Sequence, residues 1–269
     1  MLALVAICIG ALALLCAGIY WRQESFIFFP RPNDAYLRLQ WEPRRVEIQT
    51  RSSYIEAWWV ENPRASTSRV LIYFGGNAED VLYTLATAER HEARAVLASN
   101  YRGYGGTPGR PSEAALREDG LAVYDYVVAE RGIPDEDIVV MGRSIGSGVA
   151  TWIAARRPLR GVILVAPFDS LRAVAERHYP ILPVRWLLRH AFASDELAPA
   201  IRAPALILAA AQDRIVPVQH AQRLFDLWGG EKKLHVLSGV GHNDIESSPE
   251  YDRLIDGFLA GELQGMRLE

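Results

Sequence analysis

The sequence predicts an α/β fold: a mostly parallel sheet flanked by helices, with a small helical insertion and an N-terminal membrane helix. Three observations carry this. Short apolar runs alternate with helically patterned stretches between residues 46 and 260, the signature of a sheet covered by helices on both faces. Apolar residues make up 50% of the 269 and charged residues 23%, the balance of a globular chain. Residues 2–21 carry no charge at all.

As a helix, residues 2–21 span about 30 Å, the thickness of a bilayer core. Tyr20 and Trp21 close the run and Arg22 follows, the aromatic-then-basic ending of a membrane span. No Lys or Arg precedes it, and it exceeds the usual apolar core of a cleaved leader, about 7–15 residues. Residues 2–21 are therefore read as an uncleaved anchor, 22–45 as a connecting segment and 46–262 as the main domain. Arg22, Arg31, Arg38, Arg44 and Arg45 follow the anchor, and the positive-inside tendency leans toward a cytoplasmic domain.

The opening strands are 46–48 and 55–60. Residues 70–74 form a continuous apolar run ending at Gly75-Gly76, as a strand buried on both faces does. Runs at 95–99, 138–141, 162–166, 205–210 and 234–237 complete the series. Helical spacing marks 114–130, 147–156, 218–228 and 249–260. In the last, Ser248 is expected as N-cap with Pro249 at the first helical position. Residues 168–200 have scattered aromatics, Pro180, Pro183 and Pro199, and no strand signal. They read as a helical insertion, with Tyr179, Trp186 and Phe192 as either an apolar lid or its own small core.

The chemistry centres on Gly142-Arg143-Ser144-Ile145-Gly146, between a strand run and a helix pattern. A serine on so tight a strand-to-helix turn has backbone within contact distance of the positions two before and two after it. Gly142 and Gly146 supply the missing Cβ atoms. The turn aims the hydroxyl at a helix N-terminus, where N–H groups can hold an anion.

A serine hydroxyl needs a base near neutral pH. His242 is the candidate, in a Gly-containing loop just after run 234–237, at the strand end where open α/β sheets collect functional groups. His91, His178, His190, His220 and His235 lie in helical or strand contexts and are read as structural or solvated. The base needs an acid to fix its tautomer. Asp213 follows run 205–210, the strand preceding the one that leads to His242; Asp169, after run 162–166, is the rival. For an oxyanion, the donors expected are the N–H of Ile145 and the N–H of Asn77, brought close by Gly75 and Gly76.

These stretches carry a resemblance. The oxyanion segment 73–79, the segment 100–109, the Ser144 turn, Asp213-Arg214-Ile215-Val216-Pro217 and Gly241-His242-Asn243-Asp244 together resemble the α/β-hydrolase superfamily over nearly all of 46–260. Within it they look like the branch of serine aminopeptidase-like hydrolases and membrane-linked hydrolases related to protein depalmitoylases. Ser144, Asp213 and His242 follow that fold's Ser…Asp…His order. Many relatives have His-Gly where this chain has Gly75-Gly76, which removes one side-chain contact and leaves the backbone donor. The resemblance also implies that Tyr101, Arg102 and Tyr104 pin loops near the site.

The expected function is a membrane-anchored serine hydrolase cleaving carboxylic esters or thioesters of a small-molecule or acylated substrate. A peptidase or amidase with the same triad is the alternative, and would need an acid such as Glu176, Asp195 or Glu196 to hold a substrate amine. A non-catalytic binding protein is the third reading. A net charge of −3 gives no sign of the basic surface that nucleic acid requires, and no nucleic acid partner is expected. Cys8 and Cys16 both lie in the anchor, so no disulfide framework exists beyond it. No metal and no cofactor are expected.

Overall fold

The computed structural model describes residues 1–51, 53–88 and 90–262. Among them, eight strands form one sheet: β1 (Arg45–Gln49), β2 (Tyr54–Glu61), β3 (Val70–Phe74), β4 (Ala95–Ser99), β5 (Ile138–Arg143), β6 (Gly161–Val165), β7 (Ala205–Ala210) and β8 (Lys232–Leu237). Their spatial order is β1-β2-β4-β3-β5-β6-β7-β8. β1 and β4 run antiparallel to β2, and every other pairing is parallel.

The helices are α1 (Leu2–Ile27), α2 (Ala35–Trp41), α3 (Val81–Ala88), α4 (Glu113–Ala129), α5 (Ile145–Ala154), α6 (Leu171–His178), α7 (Val184–Leu187), α8 (Ser194–Leu197), α9 (Val218–Leu227) and α10 (Tyr251–Ala260). They cover both faces of the sheet. In β3, Val70, Ile72 and Phe74 point to one face, packed with Leu116 of α4, Val149 of α5 and Leu224 of α9. Leu71 and Tyr73 point to the other, with Leu82 of α3 and Leu254 of α10. A strand with helices on both sides buries both halves of its two-residue period, which is why its sequence is unbroken apolar.

The strands fall within one or two residues of expectation, and the insertion is helical, holding α6, α7 and α8. Three differences have local causes. The helix of residues 2–21 continues to Ile27, because Arg22, Gln23 and Glu24 are compatible with helix and the side chains of Gln23 and Glu24 find partners on the body. Residues 22–45 do more than connect: they contain α2, capped by Asp34 Oδ1 accepting from the N–H groups of Tyr36 and Leu37. Arg38 of α2 and Arg45 of β1 pair with Glu56, buried in β2. Finally, α10 begins at Tyr251 rather than at Pro249, with Glu250 at the cap position. Ser248 Oγ accepts from the Glu250 N–H at 3.4 Å, a turn ahead of the helix rather than its cap.

Candidate active site

β5 ends at Arg143 and α5 begins at Ile145, so Ser144 is the whole turn between them. Its backbone sits at φ 51°, ψ −116°, a strained region for a residue with a Cβ. The Ser144 N–H donates to the Val165 carbonyl of β6 (2.8 Å), and its carbonyl accepts from the Ser147 N–H (2.9 Å). The flanking glycines are sterically required. A Cβ on Gly142 would lie 2.1 Å from the Gly146 carbonyl oxygen, and one on Gly146 would lie 2.2 Å from the Phe74 carbonyl oxygen.

His242 arrives on the loop after β8. Its Nε2 stands 3.0 Å from Ser144 Oγ and its Nδ1 stands 2.7 Å from Asp213 Oδ2. Asp213 is buried on the loop after β7, and its other oxygen accepts from the N–H groups of Ile215 (2.9 Å) and Val216 (2.7 Å). One carboxylate oxygen is thus fixed by the chain and the other orients the imidazole. With Nδ1 donating to Asp213, Nε2 can accept the Ser144 proton. That arrangement delivers a nucleophile, a base and the group that orients the base.

Asp169 has a different environment. It is fully buried, accepts from His220 Nδ1 (2.7 Å) and receives Arg223 at 2.9 Å, so it ties the insertion to α9. Burial opposes its ionisation, but His220, the Ser170 N–H and Arg223 hold its carboxyl below the ordinary range.

Beside Ser144 lies the loop after β3. A Cβ on Gly76 would be 3.7 Å from Ser144 Cβ, which places this backbone against the nucleophile. The Gly76 N–H is already committed to Glu79 Oε2 (2.7 Å). The Asn77 N–H has no acceptor among the described residues, and Ile145, first residue of α5, has none within its own helix. Among the described residues, the N–H groups of Asn77 and Ile145 thus have no protein acceptor, as the expected oxyanion donors require.

Two residues outside the expected set organise this corner. Arg143 reaches Glu79 Oε2 (2.8 Å) and donates to the His242 carbonyl (3.0 Å). Glu79 also accepts from Tyr73 Oη (2.5 Å). One half-buried ion pair thus joins the loop after β3 to the His242 loop. Burial disfavours the Arg143 charge, yet Glu79 holds its pKa above the ordinary value. Burial and the neighbouring Glu79 push the Tyr73 hydroxyl well above its usual range, so it remains a donor. The signal was Arg143 itself, a charge at the end of an otherwise apolar strand run.

The Asn77 side chain makes a connection that spacing alone did not suggest. Its Nδ2 donates to the Ile27 carbonyl at the end of α1 (2.6 Å). Its Oδ1 accepts from the Phe29 N–H (3.0 Å) and from Tyr104 Oη (2.7 Å). Tyr101 Oη donates to the Gly75 carbonyl (2.7 Å). Tyr101 and Tyr104 thus pin the oxyanion loop as expected, while Arg102 pairs with Asp119 and Glu118 of α4. A groove of about 940 Å³ runs between the end of α1 and this loop, lined in part by Phe28, Phe29, Pro30, Ala78 and Arg110.

The remaining candidates are placed elsewhere. Glu176 is exposed on α6. Asp195 Oδ1 accepts from the Glu196 N–H, on a helix that packs on α5 and α9. None of the three acids has a hydrogen bond or ion pair to Ser144, Asp213 or His242 among the described residues. Phe192 is core, packed between Phe28 and Phe168, whereas Tyr179 and Trp186 are exposed. His91 pairs with Asp256 and His190 with Glu24.

Fold and side-chain arrangement together define a serine hydrolase class, and comparison with known proteins agrees. Residues 127–254 match the serine hydrolase family. The chain is 33% identical over 247 residues to the Mycobacterium tuberculosis protein Rv2307c, covering 88% of each. It is 32% identical over 240 residues to the lysophosphatidylserine lipase ABHD12 of Danio rerio, covering 76% of this chain and 61% of that relative. The Pyrococcus furiosus esterase Pf2001 superposes with a TM-score of 0.67 at 18% identity, over 87% of this chain and 99% of the esterase, a likeness of fold. The chain has the α/β-hydrolase fold, and the serine hydrolase match lies within it, from α4 to α10.

Proposed function

We propose that this protein is a membrane-anchored serine hydrolase that cleaves carboxylic ester or thioester bonds of acylated amphiphiles. The observation that carries the reading is the continuous relay from Asp213 through His242 to Ser144, held at positive φ on its turn. Ser144 Oγ attacks the acyl carbonyl carbon and its proton passes to His242 Nε2. The oxyanion is held by the N–H groups of Asn77 and Ile145. The bond to the leaving alcohol or thiol breaks as His242 returns the proton, leaving an acyl-Ser144 ester. Water, deprotonated by His242, attacks that ester, and acid and free enzyme separate.

The membrane part of the reading is supported by Ala6–Ile27, which is long and apolar enough to cross a bilayer and almost wholly unburied. Continuity of α1 into a docked C-terminal end, where Gln23 is buried, favours a retained anchor over a removed leader. The groove beside Ala78 offers an acyl chain a path between the anchor and the oxyanion loop. A lysophospholipid-like ester is the substrate class favoured by the likeness to ABHD12. The amidase alternative gains no support from Glu176, Asp195 or Glu196, since none bonds to the relay. Arg22, Arg31, Arg38, Arg44 and Arg45, which follow the apolar run, support a cytoplasmic side for the domain in this reading.

The test is labelling of membranes carrying the protein by a fluorophosphonate probe, beside Ser144→Ala and His242→Ala, followed by acyl-ester and aminoacyl-anilide hydrolysis. Labelling confined to wild type, with esters cleaved and anilides not, is expected. A folded wild type that takes no label would overturn the reading.

A further inference from the structure

The insertion carries large apolar side chains that nothing in the fold covers. Ile181 is 91% exposed, Trp186 80% and Tyr179 60%. Apolar side chains this exposed and this close in sequence mark a contact surface. Both ends of the segment are fastened. At one end, the Leu187 carbonyl accepts from Gln23 Nε2 (3.1 Å) and the Arg189 N–H donates to Gln23 Oε1 (2.8 Å). Arg189 also pairs with Glu24 at 2.5 Å and lies over the Tyr20 ring. These partners all belong to the last turns of α1, the helix assigned to the bilayer. At the other end, His178 Nε2 donates to the Ile215 carbonyl (2.8 Å), and the Ile215 N–H holds the Asp213 carboxylate. The strip from 179 to 186 therefore runs from the membrane helix to the loop of the active-site acid.

Its charge is predominantly positive. Residues 171–190 contain Arg172, Arg177, Arg185 and Arg189 against Glu176 alone, a net of +3 in a chain of net −3. The same level of the molecule exposes Trp21, Phe26 and Phe29 around the end of α1. Basic side chains interleaved with Trp, Tyr and Ile suit the boundary between headgroups and acyl chains of an anionic bilayer.

We infer that the segment 177–189 is a second, interfacial membrane contact that lies on an anionic lipid surface and seats the Ser144 site at the headgroup layer. The inference rests on the reading of α1 as a membrane span and deepens it. A single span can tilt in the bilayer and carry the docked domain with it. Two contacts, one through α1 and one through Ile181 and Trp186, fix which face meets the lipid. The substrate is then drawn from the bilayer itself rather than from solution.

The experiment uses the full chain with Cys8→Ser and Cys16→Ser, an NBD label at Ile181→Cys, and nanodiscs of phosphatidylcholine with and without phosphatidylglycerol. The reference label is at Glu136→Cys, exposed at the opposite end of β5 from Ser144. Spin-labelled lipid bearing the quencher near the headgroup should quench position 181 at least threefold more than position 136. Phosphatidylglycerol should strengthen the effect, and Arg177→Gln with Arg185→Gln should weaken it. Quenching at 181 no greater than at 136, in chains that resist carbonate extraction, overturns the inference and leaves the anchor standing. Chains that wash out of the bilayer overturn both. NBD self-quenching lost on dilution of protein in lipid would assign the strip to a second copy, and would also overturn it.

A second arm reads function. Ile181→Asp with Trp186→Asp should lower hydrolysis of a long-acyl ester embedded in the bilayer at least tenfold, with hydrolysis of soluble p-nitrophenyl acetate unchanged. Equal loss on both substrates would refute a role in lipid access. A wild type that cleaves neither ester refutes the hydrolase reading, and the quenching still decides the surface.

Discussion

Replacing Asn77 with alanine tests how the end of α1 and the loop after β3 are joined. The substitution keeps the backbone N–H proposed as a donor and deletes the side chain that fixes it. Three hydrogen bonds go, to the Ile27 carbonyl, the Phe29 N–H and Tyr104 Oη. At a net of about 0.5–1.5 kcal/mol each, they sum to about 1.5–4.5 kcal/mol. Phe29 keeps Tyr104 Oη as a partner at 3.1 Å and water can reach part of the junction, so about 2 kcal/mol is the working figure. Outright loss of an oxyanion donor costs about 3–4 kcal/mol, which sets the ceiling. If the lost order appears at the oxyanion, the barrier rises by about 2 kcal/mol and the fluorophosphonate labelling rate falls about 30-fold. Asn77→Asp keeps the acceptor but turns a carboxylate toward the Ile27 carbonyl, and should fall at least as far. Tyr104→Phe removes one bond of the same set and the longer one from the Phe29 N–H, leaving Asn77 its other two, so its effect should be smaller and less than additive with Asn77→Ala. A labelling rate for Asn77→Ala within threefold of wild type, with Ser144→Ala inert in the same assay, would refute the reasoning.

Other perturbations have outcomes as definite. Gly142→Ala forces a Cβ to 2.1 Å from the Gly146 carbonyl, so the chain should fail limited proteolysis; Gly132→Ala, with open space around it, should cost only about 1–2 kcal/mol of left-handed strain. Arg143→Met leaves Glu79 without its cation in a mostly buried corner and frees the His242 carbonyl; a loss of about 3 kcal/mol in denaturant midpoint analysis and slowed labelling are expected, with Arg143→Lys intermediate. Burial opposes ionisation of Glu56, but Arg38 and Arg45 hold its carboxyl below the ordinary value. Its contribution to stability is therefore complete above about pH 4.3, the unfolded value, and is lost as the pH falls through the lower folded value. Glu56→Gln should thus be less stable than wild type at pH 7, by about 1–2 kcal/mol because both arginines reach solvent, and the gap should close in denaturation curves below pH 4.

The strands were legible because each is buried on two sides, so nearly every position in 70–74 or 205–210 had to be apolar. Helices were legible where their apolar face is broad, as in α4 and α9. The short α2 and α3 went unread: α2 buries no residue and α3 follows a loop whose glycines dominate the pattern. The start of α10 was misplaced because Ser248-Pro249 carries a start signal that a turn can use equally well. Phe192 and Trp186 look alike in sequence, and only packing against Phe28 and Phe168 separates core from exposed ring.

Ser144, with its glycines, was fixed by local sterics: a turn that tight admits no Cβ two residues either side, so the chain itself records it. His242 and Asp213 could be named from strand order, since consecutive parallel strands deliver their following loops to one end of the sheet. What sequence could not decide is which distant groups meet. Strand order preferred Asp213 to Asp169 without showing what either carboxylate meets: the loop after β7 sets Asp213 against His242 and the loop after β6 sets Asp169 against His220. The clasp of Asn77 on Ile27 and the bridge from Arg143 to Glu79 and the His242 loop join segments far apart in the chain. Short-range pattern reports the constraints a residue feels from its neighbours in sequence; these contacts are imposed by neighbours in space, and only the folded sheet brings them together.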